Sequence, residues 1–348
     1  MPRSTLLTRL PATPPGLMRA LAIAAVVAQA GIALTGSVVR VTGSGLGCPD
    51  WPTCFPGSLT PDPRYDVALL HQWVEFSNRL LTGVLSIVVV ACLLGALGTR
   101  PRRRRLTLLA LSMPAGVAVQ AVIGGITVLA GLAWWTVSVH FLVSMGLVWL
   151  AVLLVRATGQ LDGPPVPALP AAGRALVALN SATLAVLLVA GTFVTAAGPH
   201  AGDAKTPRLG LGVPQMAQLH GDLVIGYLGL LVGLGFLLRA VAAPAPLVRR
   251  HWVLVAAVLA QGVLGAVQYA LRVPEVLVSL HVLGACLVTA AAAALWAAST
   301  DRPPVPAIPD ASPEPATPTA TETPATPAAA RPATGEAPES TPAGLRAN

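Results

Sequence analysis

Eight apolar runs, each of about 20 residues or more, constrain this chain more than any other feature: 17–39, 69–97, 106–130, 134–156, 174–196, 215–240, 251–271 and 275–299. A helix of roughly 20 residues crosses the ~30 Å hydrocarbon core of a bilayer, and there each backbone amide must be paired within its own segment. The runs therefore predict an all-α integral membrane protein with eight transmembrane helices. Composition agrees, since 54% of the 348 residues are hydrophobic and only 10% are charged, a balance no soluble domain needs. The joins 131–133 and 272–274 are so short that the helices they connect are expected to form antiparallel hairpins.

A net charge of +8 raises the question of a polyanion partner, and the distribution of charge answers it. Arginines cluster in TRPRRRR (99–105), at Arg156 and Arg174, at Arg239, Arg249 and Arg250, and near the start at Arg3, Arg9 and Arg19. Those segments alternate along the chain, as the positive-inside rule requires of cytoplasmic ones. Both termini are then expected inside, and the joins 40–68, 131–133, 197–214 and 272–274 outside. The basic residues mark orientation in a lipid bilayer, not a nucleic acid partner. Ala28-Gln29-Ala30 resembles a signal-peptide cleavage site, but the apolar run continues to Val39 and reads as a retained first helix. Residues 1–16 form a short cytoplasmic N-terminus. Residues 300–348, rich in Pro, Ala and Thr, have the composition of a disordered cytoplasmic tail. The single lysine, Lys205, among many arginines suggests a GC-rich bacterial genome, hence a bacterial cell membrane.

An internal repeat divides the membrane part in two. QAVIGGITVL (120–129) followed by VSVH (137–140) matches QGVLGAVQYA (261–270) followed by VSLH (278–281), without a gap and at an offset of 141 residues. A weaker echo pairs GSVVRVTG (36–43) with GTFVTAAG (191–198). The chain therefore reads as two pseudosymmetric four-helix bundles, 17–157 with its outer loop 40–68 and 174–299, joined by a cytoplasmic linker at 158–173. Each half has an even number of spans, so the duplication is parallel.

The repeat also places polar residues where membrane helices rarely keep them. His140 and His281 are equivalent, and His220 in the sixth helix has its counterpart at Asn78 in the second. An ionisable side chain at such depth is by default a functional-site candidate. Two histidines facing one another across a bundle can supply both axial ligands of a haem iron. His220 and His281, in the same half, form the natural bis-His pair. His140 faces only Asn78, which suits an exchangeable porphyrin. Zinc is less suited, for no cysteine or carboxylate lies at that depth in the second half. Glu75, one turn from Asn78, is the carboxylate most open to proton exchange or charge stabilisation. Pairing of Glu75 with Arg79 or Arg40 is the plain alternative, and both arginines also suit haem propionates. Cys48 and Cys54 flank PDWPT in an outside loop, where a disulfide persists. His71 and His200 lie at the outer edge, His251 reads as a surface residue, and Cys92 and Cys286 as packing residues.

These motifs together resemble the heme A synthase family: GCPDWPTC (47–54), EFSNR (75–79), VSVH (137–140), GPHAGD (198–203), QLHGD (218–222) and VSLH (278–281). The resemblance spans about 17–299. It implies a fold of two pseudosymmetric four-helix bundles. It also implies oxidation of the C8 methyl of heme O to a formyl group through successive hydroxylations, with water as oxygen source, to make the cofactor of terminal oxidases. It would give His220 and His281 to a b-type haem, His140 to the substrate side with Asn78 and Arg79, Glu75 the role of essential acid, and Cys48 and Cys54 a part in turnover. Heme O is the implied substrate, and a heme O synthase and cytochrome oxidase assembly factors the implied partners, with self-association left open. Two departures stand out. Asn78 replaces a histidine found in many members, so a bis-His substrate site would need His71, and the loop 197–214 lacks the second cysteine pair. A b-type electron-transfer cytochrome linked to quinone is the main rival, and a transporter the lesser one.

Overall fold

The computed structural model describes residues 11–302 and 304. The N-terminal ten residues and nearly all of the expected C-terminal tail lie outside them. Eight helices follow in order: α1 (Pro15–Val41), α2 (Leu69–Gly98), α3 (Arg104–Leu129), α4 (Trp134–Thr158), α5 (Ala171–Ala197), α6 (Val213–Ala240), α7 (Ala245–Ala270) and α8 (Glu275–Ala298). All eight are long and apolar enough to cross a membrane. Prolines open several of them. Pro14, Pro170, Pro244 and Pro274 are the N-cap residues of α1, α5, α7 and α8, where a missing N–H costs nothing because the first turn has no acceptor for it.

The largest difference from the sequence expectation is at α7. It begins at Ala245, six residues before the expected 251, so Arg249 and Arg250 lie within its first turns and not in a join. Their long stems can lie along apolar surface while the guanidinium groups reach water. His251 is corrected as well. It is 2% exposed, packed so that a Cβ on Gly235 of α6 would lie 3.0 Å from its Nε2. Residues 300–301, expected in the tail, form β2 (Thr300–Asp301), antiparallel to β1 (Val166–Pro167), and Asp301 pairs with Arg156 at 3.0 Å.

The helices pack as two rings. In the first, α1 meets α2, α2 meets α3, α3 meets α4 and α4 returns to α1; α5 to α8 repeat the cycle. Between the rings α1 packs on α8, α5 on α4, and α4 on α8. Exchanging the two halves maps the first of these contacts onto the second and the third onto itself, as an approximate two-fold relation demands. The hairpin turns repeat in hydrogen-bond detail. Leu132 N–H donates to Thr127 C=O at 2.9 Å and Gly131 N–H to Val128 C=O at 2.9 Å; 141 residues on, Val273 donates to Gln268 at 2.8 Å and Arg272 to Tyr269 at 3.1 Å. Both turns use positive φ, 60° and 59° at Gly131 and Leu132 and 61° and 64° at Arg272 and Val273. Only the first supplies a glycine for it.

Apolar packing fills one half of each ring. Met18, Leu85, Val89, Leu106, Met113 and Leu154 lie in the first core, and Leu184, Tyr227, Leu234, Leu247, Leu254 and Leu295 in the second. All of them lie at the middle of their helices or on the half toward the arginine clusters. The opposite halves are left for the polar residues. Arg103 locks the basic end: it is buried and its Nη1 donates to the carbonyls of Ala157, Thr158 and Gln160 at 3.1, 2.9 and 2.9 Å. These are last-turn carbonyls of α4 and its exit, which have no intrahelical donor. Arg103→Met should therefore lower stability by roughly 2–3 kcal/mol, read as a fall in apparent melting temperature in detergent.

Candidate functional site

Each of the three intramembrane histidines lies six or seven residues into its helix, at roughly 9–10 Å from the end away from the arginines. Each ring rests against a glycine on the neighbouring helix. A Cβ on Gly124 of α3 would lie 3.3 Å from His140 Cε1, one on Gly191 of α5 3.2 Å from His220 Cε1, and one on Gly265 of α7 3.1 Å from His281 Cε1. A mid-helix glycine costs about 1 kcal/mol against alanine. Here it provides the space for the Cε1–Nδ1 edge of an imidazole against a helix backbone. In all three rings Nδ1 is buried without a hydrogen-bond partner among the described residues. The Leu187 carbonyl, one turn before Gly191, stands by the His220 ring outside hydrogen-bond geometry. With Nδ1 turned to the helix wall, Nε2 is the nitrogen left for an external partner, the arrangement by which surrounding groups orient metal-binding histidines.

The glutamine that precedes each repeated histidine by 20 residues has a physical role. Gln261 Nε2 donates to the His281 carbonyl at 2.8 Å, and Gln120 Nε2 to the His140 carbonyl at 3.0 Å and to Ser144 Oγ at 2.6 Å. Each bond ties the histidine-bearing turn to the partner helix of its hairpin. His220 on α6 and His281 on α8 stand at matched depth in the second ring. Among the described residues no three of His, Cys, Asp and Glu converge on one point. The donor set is thus at most a pair of imidazoles. A pair of imidazole nitrogens with no third donor is a set that fits haem, whose macrocycle would fill the remaining coordination positions.

At the fourth place of the repeat, Asn78 Oδ1 accepts from Thr35 Oγ1 at 2.7 Å. Thr35 precedes Gly36, the counterpart of Gly191. A Cβ on Gly36 would meet nothing within 4 Å.

Glu75, Arg79 and the cysteines form one network above the first bundle. Cys48 and Cys54 are joined by a disulfide. Glu75, 6% exposed, accepts from Cys48 N–H at 2.7 Å and from Arg79 Nη2 at 2.7 Å. Arg79 also reaches the carbonyls of Thr53, Cys48 and Asp50 at 2.9, 2.8 and 3.0 Å. An Arg–Glu pair one helical turn apart thereby holds the disulfide loop from both its N–H and its C=O side. The loop approaches α2 so closely that a Cβ on Gly47 would lie 2.1 Å from the His71 carbonyl oxygen. Further along the same outer segment, the Arg64 guanidinium bonded to Asp62 holds its carboxyl at about 2, and Asp62 N–H donates to Gln72 Oε1 at 2.8 Å.

Trp51, at the centre of that loop, is a residue the sequence did not single out. Its indole lies on Gly125, where a Cβ would be 2.6 Å from Cδ2. The adjacent Gly124 supports the His140 ring. The second half has alanine, Ala266, at the place of Gly125 and no such loop. A double glycine opposite a histidine, present in one repeat alone, is the signal that points to it.

The remaining candidates lie apart from the histidines. His71 Nδ1 is 2.8 Å from Ser44 Oγ, which in turn bonds Thr42 Oγ1 at 2.9 Å. His200 Nε2 is 2.8 Å from the Val273 carbonyl and, facing an acceptor, must carry the proton; it pins the 197–212 loop to the α7–α8 turn. Arg40 donates through Nη2 to the Thr195 carbonyl at 3.1 Å, while its Nε is buried without a partner among the described residues and Arg208 is a cationic neighbour. Arg40 and Thr195 are equivalent in the repeat, so this bond crosses the approximate two-fold relation.

Comparison with known proteins adds a family. The model described as cytochrome oxidase assembly protein, COX15-CtaA, matches residues 19–205, more than half of the chain. Heme A synthase of Lysinibacillus sphaericus is 36% identical over 135 residues, covering 38% of this chain and 42% of that protein. Heme A synthase of Exiguobacterium sibiricum is 27% identical over 142 residues, 39% of this chain and 46% of that one. That of Shewanella oneidensis is 27% identical over 139 residues, with 36% and 41% covered. The chain thus spans less than half the length of these relatives.

Proposed function

Because the chain belongs to the COX15-CtaA family of cytochrome oxidase assembly proteins, we propose that it is a heme A synthase, which oxidises the C8 methyl of heme O to a formyl group. Converting CH3 and one water to CHO releases four electrons and four protons, so the site must hold a porphyrin, take up protons and pass electrons on. The observation that carries this function is the threefold recurrence of one local device: an imidazole at matched depth, its Nδ1 buried against a helix glycine. A single intramembrane histidine is readily a helix-to-helix hydrogen-bonding group. Three whose Nδ1 has no partner among the described residues and that share one support are built for a ligand.

In this mechanism the two halves divide the work. His220 and His281 would hold a haem b, which would supply an electron path when bound. Gly191 and Gly265 set the ring positions, and Gln261 fixes the turn that carries His281. In the first bundle His140, steadied by Gln120, orients the substrate. The disulfide loop closes the mouth above it, with Trp51 against Gly125 and Arg79 holding the loop carbonyls. Glu75 serves as the proton-accepting carboxylate at that mouth, positioned by Cys48 N–H and the Arg79 guanidinium. Both sites face the side opposite the arginine clusters, the outer side if the termini are cytoplasmic. A heme O synthase would deliver the substrate, and oxidase assembly factors would receive the product.

Pigment analysis tests the function. Purified from cells that co-express a heme O synthase, the protein should yield heme A alongside heme b. Heme b with unconverted heme O would instead identify a bis-His electron-transfer cytochrome, and a protein free of haem would remove both assignments.

A further inference from the structure

The two halves differ at a pair of positions at once, and the two differences fit each other. Where the second half has Ala190 and His220, the first has Thr35 and Asn78. An asparagine that had merely decayed from a ligand position would need no partner. This one has a dedicated one, 43 residues away on α1, at 2.7 Å. Thr35 Oγ1 also lies 3.2 Å from the Ile32 carbonyl, but a hydroxyl has one hydrogen, and the shorter contact to Asn78 takes it. Asn78 Oδ1 is therefore engaged as the acceptor. Its NH2 group, with two donors, has no protein partner among the described residues. The space an imidazole would use is still present, since Gly36 retains the open surface that Gly191 lends to His220.

We propose that Thr35 and Asn78 form a matched pair that makes the first bundle a one-histidine porphyrin site. Thr35 fixes the amide, and the amide presents an N–H donor, in place of a ligating nitrogen, to the face of the substrate iron away from His140. The inference rests on the heme A synthase function and adds to it what occupies that face. A porphyrin held by one imidazole leaves more easily than one clamped by two, which suits a substrate over a resident cofactor. His71 does not take the place of the missing ligand, because it stands seven residues before Asn78 on α2, roughly 10 Å along the helix axis.

Carbon monoxide is the probe. The full chain in detergent, carrying its second-bundle haem, is loaded with heme O, reduced and exposed to the gas. In the wild type the substrate haem should bind carbon monoxide, while the haem held by His220 and His281 should not. Asn78→His should abolish binding at the substrate haem, because the imidazole occupies the open position with Gly36 beside it. Asn78→Leu should retain binding but raise the C–O stretching frequency, through loss of the hydrogen bond to the bound gas. Thr35→Val should shift it in the same direction, since the amide is then free to turn. A merely structural pair would leave that frequency unmoved. An unchanged second-bundle haem spectrum in each variant certifies the fold. Carbon monoxide binding that persists in Asn78→His overturns the inference, as does a frequency that responds neither to Asn78→Leu nor to loss of the Thr35 hydroxyl. Failure of the wild type to take up heme O overturns the inference and the proposed function together. Uptake with the expected carbon monoxide behaviour but without heme A formation refutes the synthase assignment alone.

Discussion

Glu75→Gln is expected to abolish the proposed heme A formation while leaving the haem proposed for the second bundle and the disulfide in place. The exchange keeps shape and removes charge at a carboxylate whose two oxygens each accept a short bond, from Cys48 N–H and from Arg79 Nη2. An amide can accept one of these bonds but meets the other donor with its own NH2, so the loop loses at least one anchor. The cysteine pair and the three carbonyls gripped by Arg79 remain, and the loop should stay near its place. If Glu75 accepts a proton in turnover, kcat should fall by about 100-fold or more, the range ascribed to general acid–base groups. Arg79→Met supplies the contrast. It releases the loop carbonyls but keeps a carboxylate at position 75, so its main effect should be on KM for heme O. Equal losses in both variants, with KM moved and kcat spared, would reduce Glu75 to a strut under the loop. Wild-type rates in Glu75→Gln would remove it from both roles.

The difference between what could be read in the sequence and what could not follows from the range of the interactions. Helices announce themselves through runs of local apolar residues, and all eight were legible. The start of α7 was not, because Arg249 and Arg250 look like a join until a helix begun at Pro244 carries them at its end. The repeat was legible because Gln–His spacing survives in both hairpins, although its cause, a bond from glutamine to the histidine carbonyl, needed coordinates. The glycines beneath the histidines were visible as letters but not as supports, since each contact joins two helices and has no period along the chain. Thr35 and Asn78 are 43 residues apart and were invisible as a pair. The position of His251 beside two arginines suggested a surface residue; only packing against Gly235 shows it to be buried. The loop 48–54 was the least predictable, because its position depends on Arg79 reaching three backbone carbonyls.

His281→Ala is the second large effect. Loss of one imidazole from the proposed pair should convert the second-bundle haem from six-coordinate to five-coordinate, visible as a change from low to high spin, and the double variant with His220→Ala should lose that haem altogether. Heme A formation should cease in either case, because electrons leaving the substrate have no path, yet heme O should still bind at His140. That independence follows from the packing: the two histidine sets lie in separate rings, each with its own glycine support and its own apolar core below. Gly265→Val distinguishes a ligand from a mere interface residue. A Cβ already comes within 3.1 Å of His281 Cε1, so a branched side chain must displace the ring without removing it. Changes in groups that orient a ligand typically cost about 10–100-fold in affinity, and haem retention in this variant should fall by that order. If His281 only held α8 against α7, its loss and the displacement of its ring would both leave the haem spectrum unchanged, and the three glycine-backed histidines would require a different explanation.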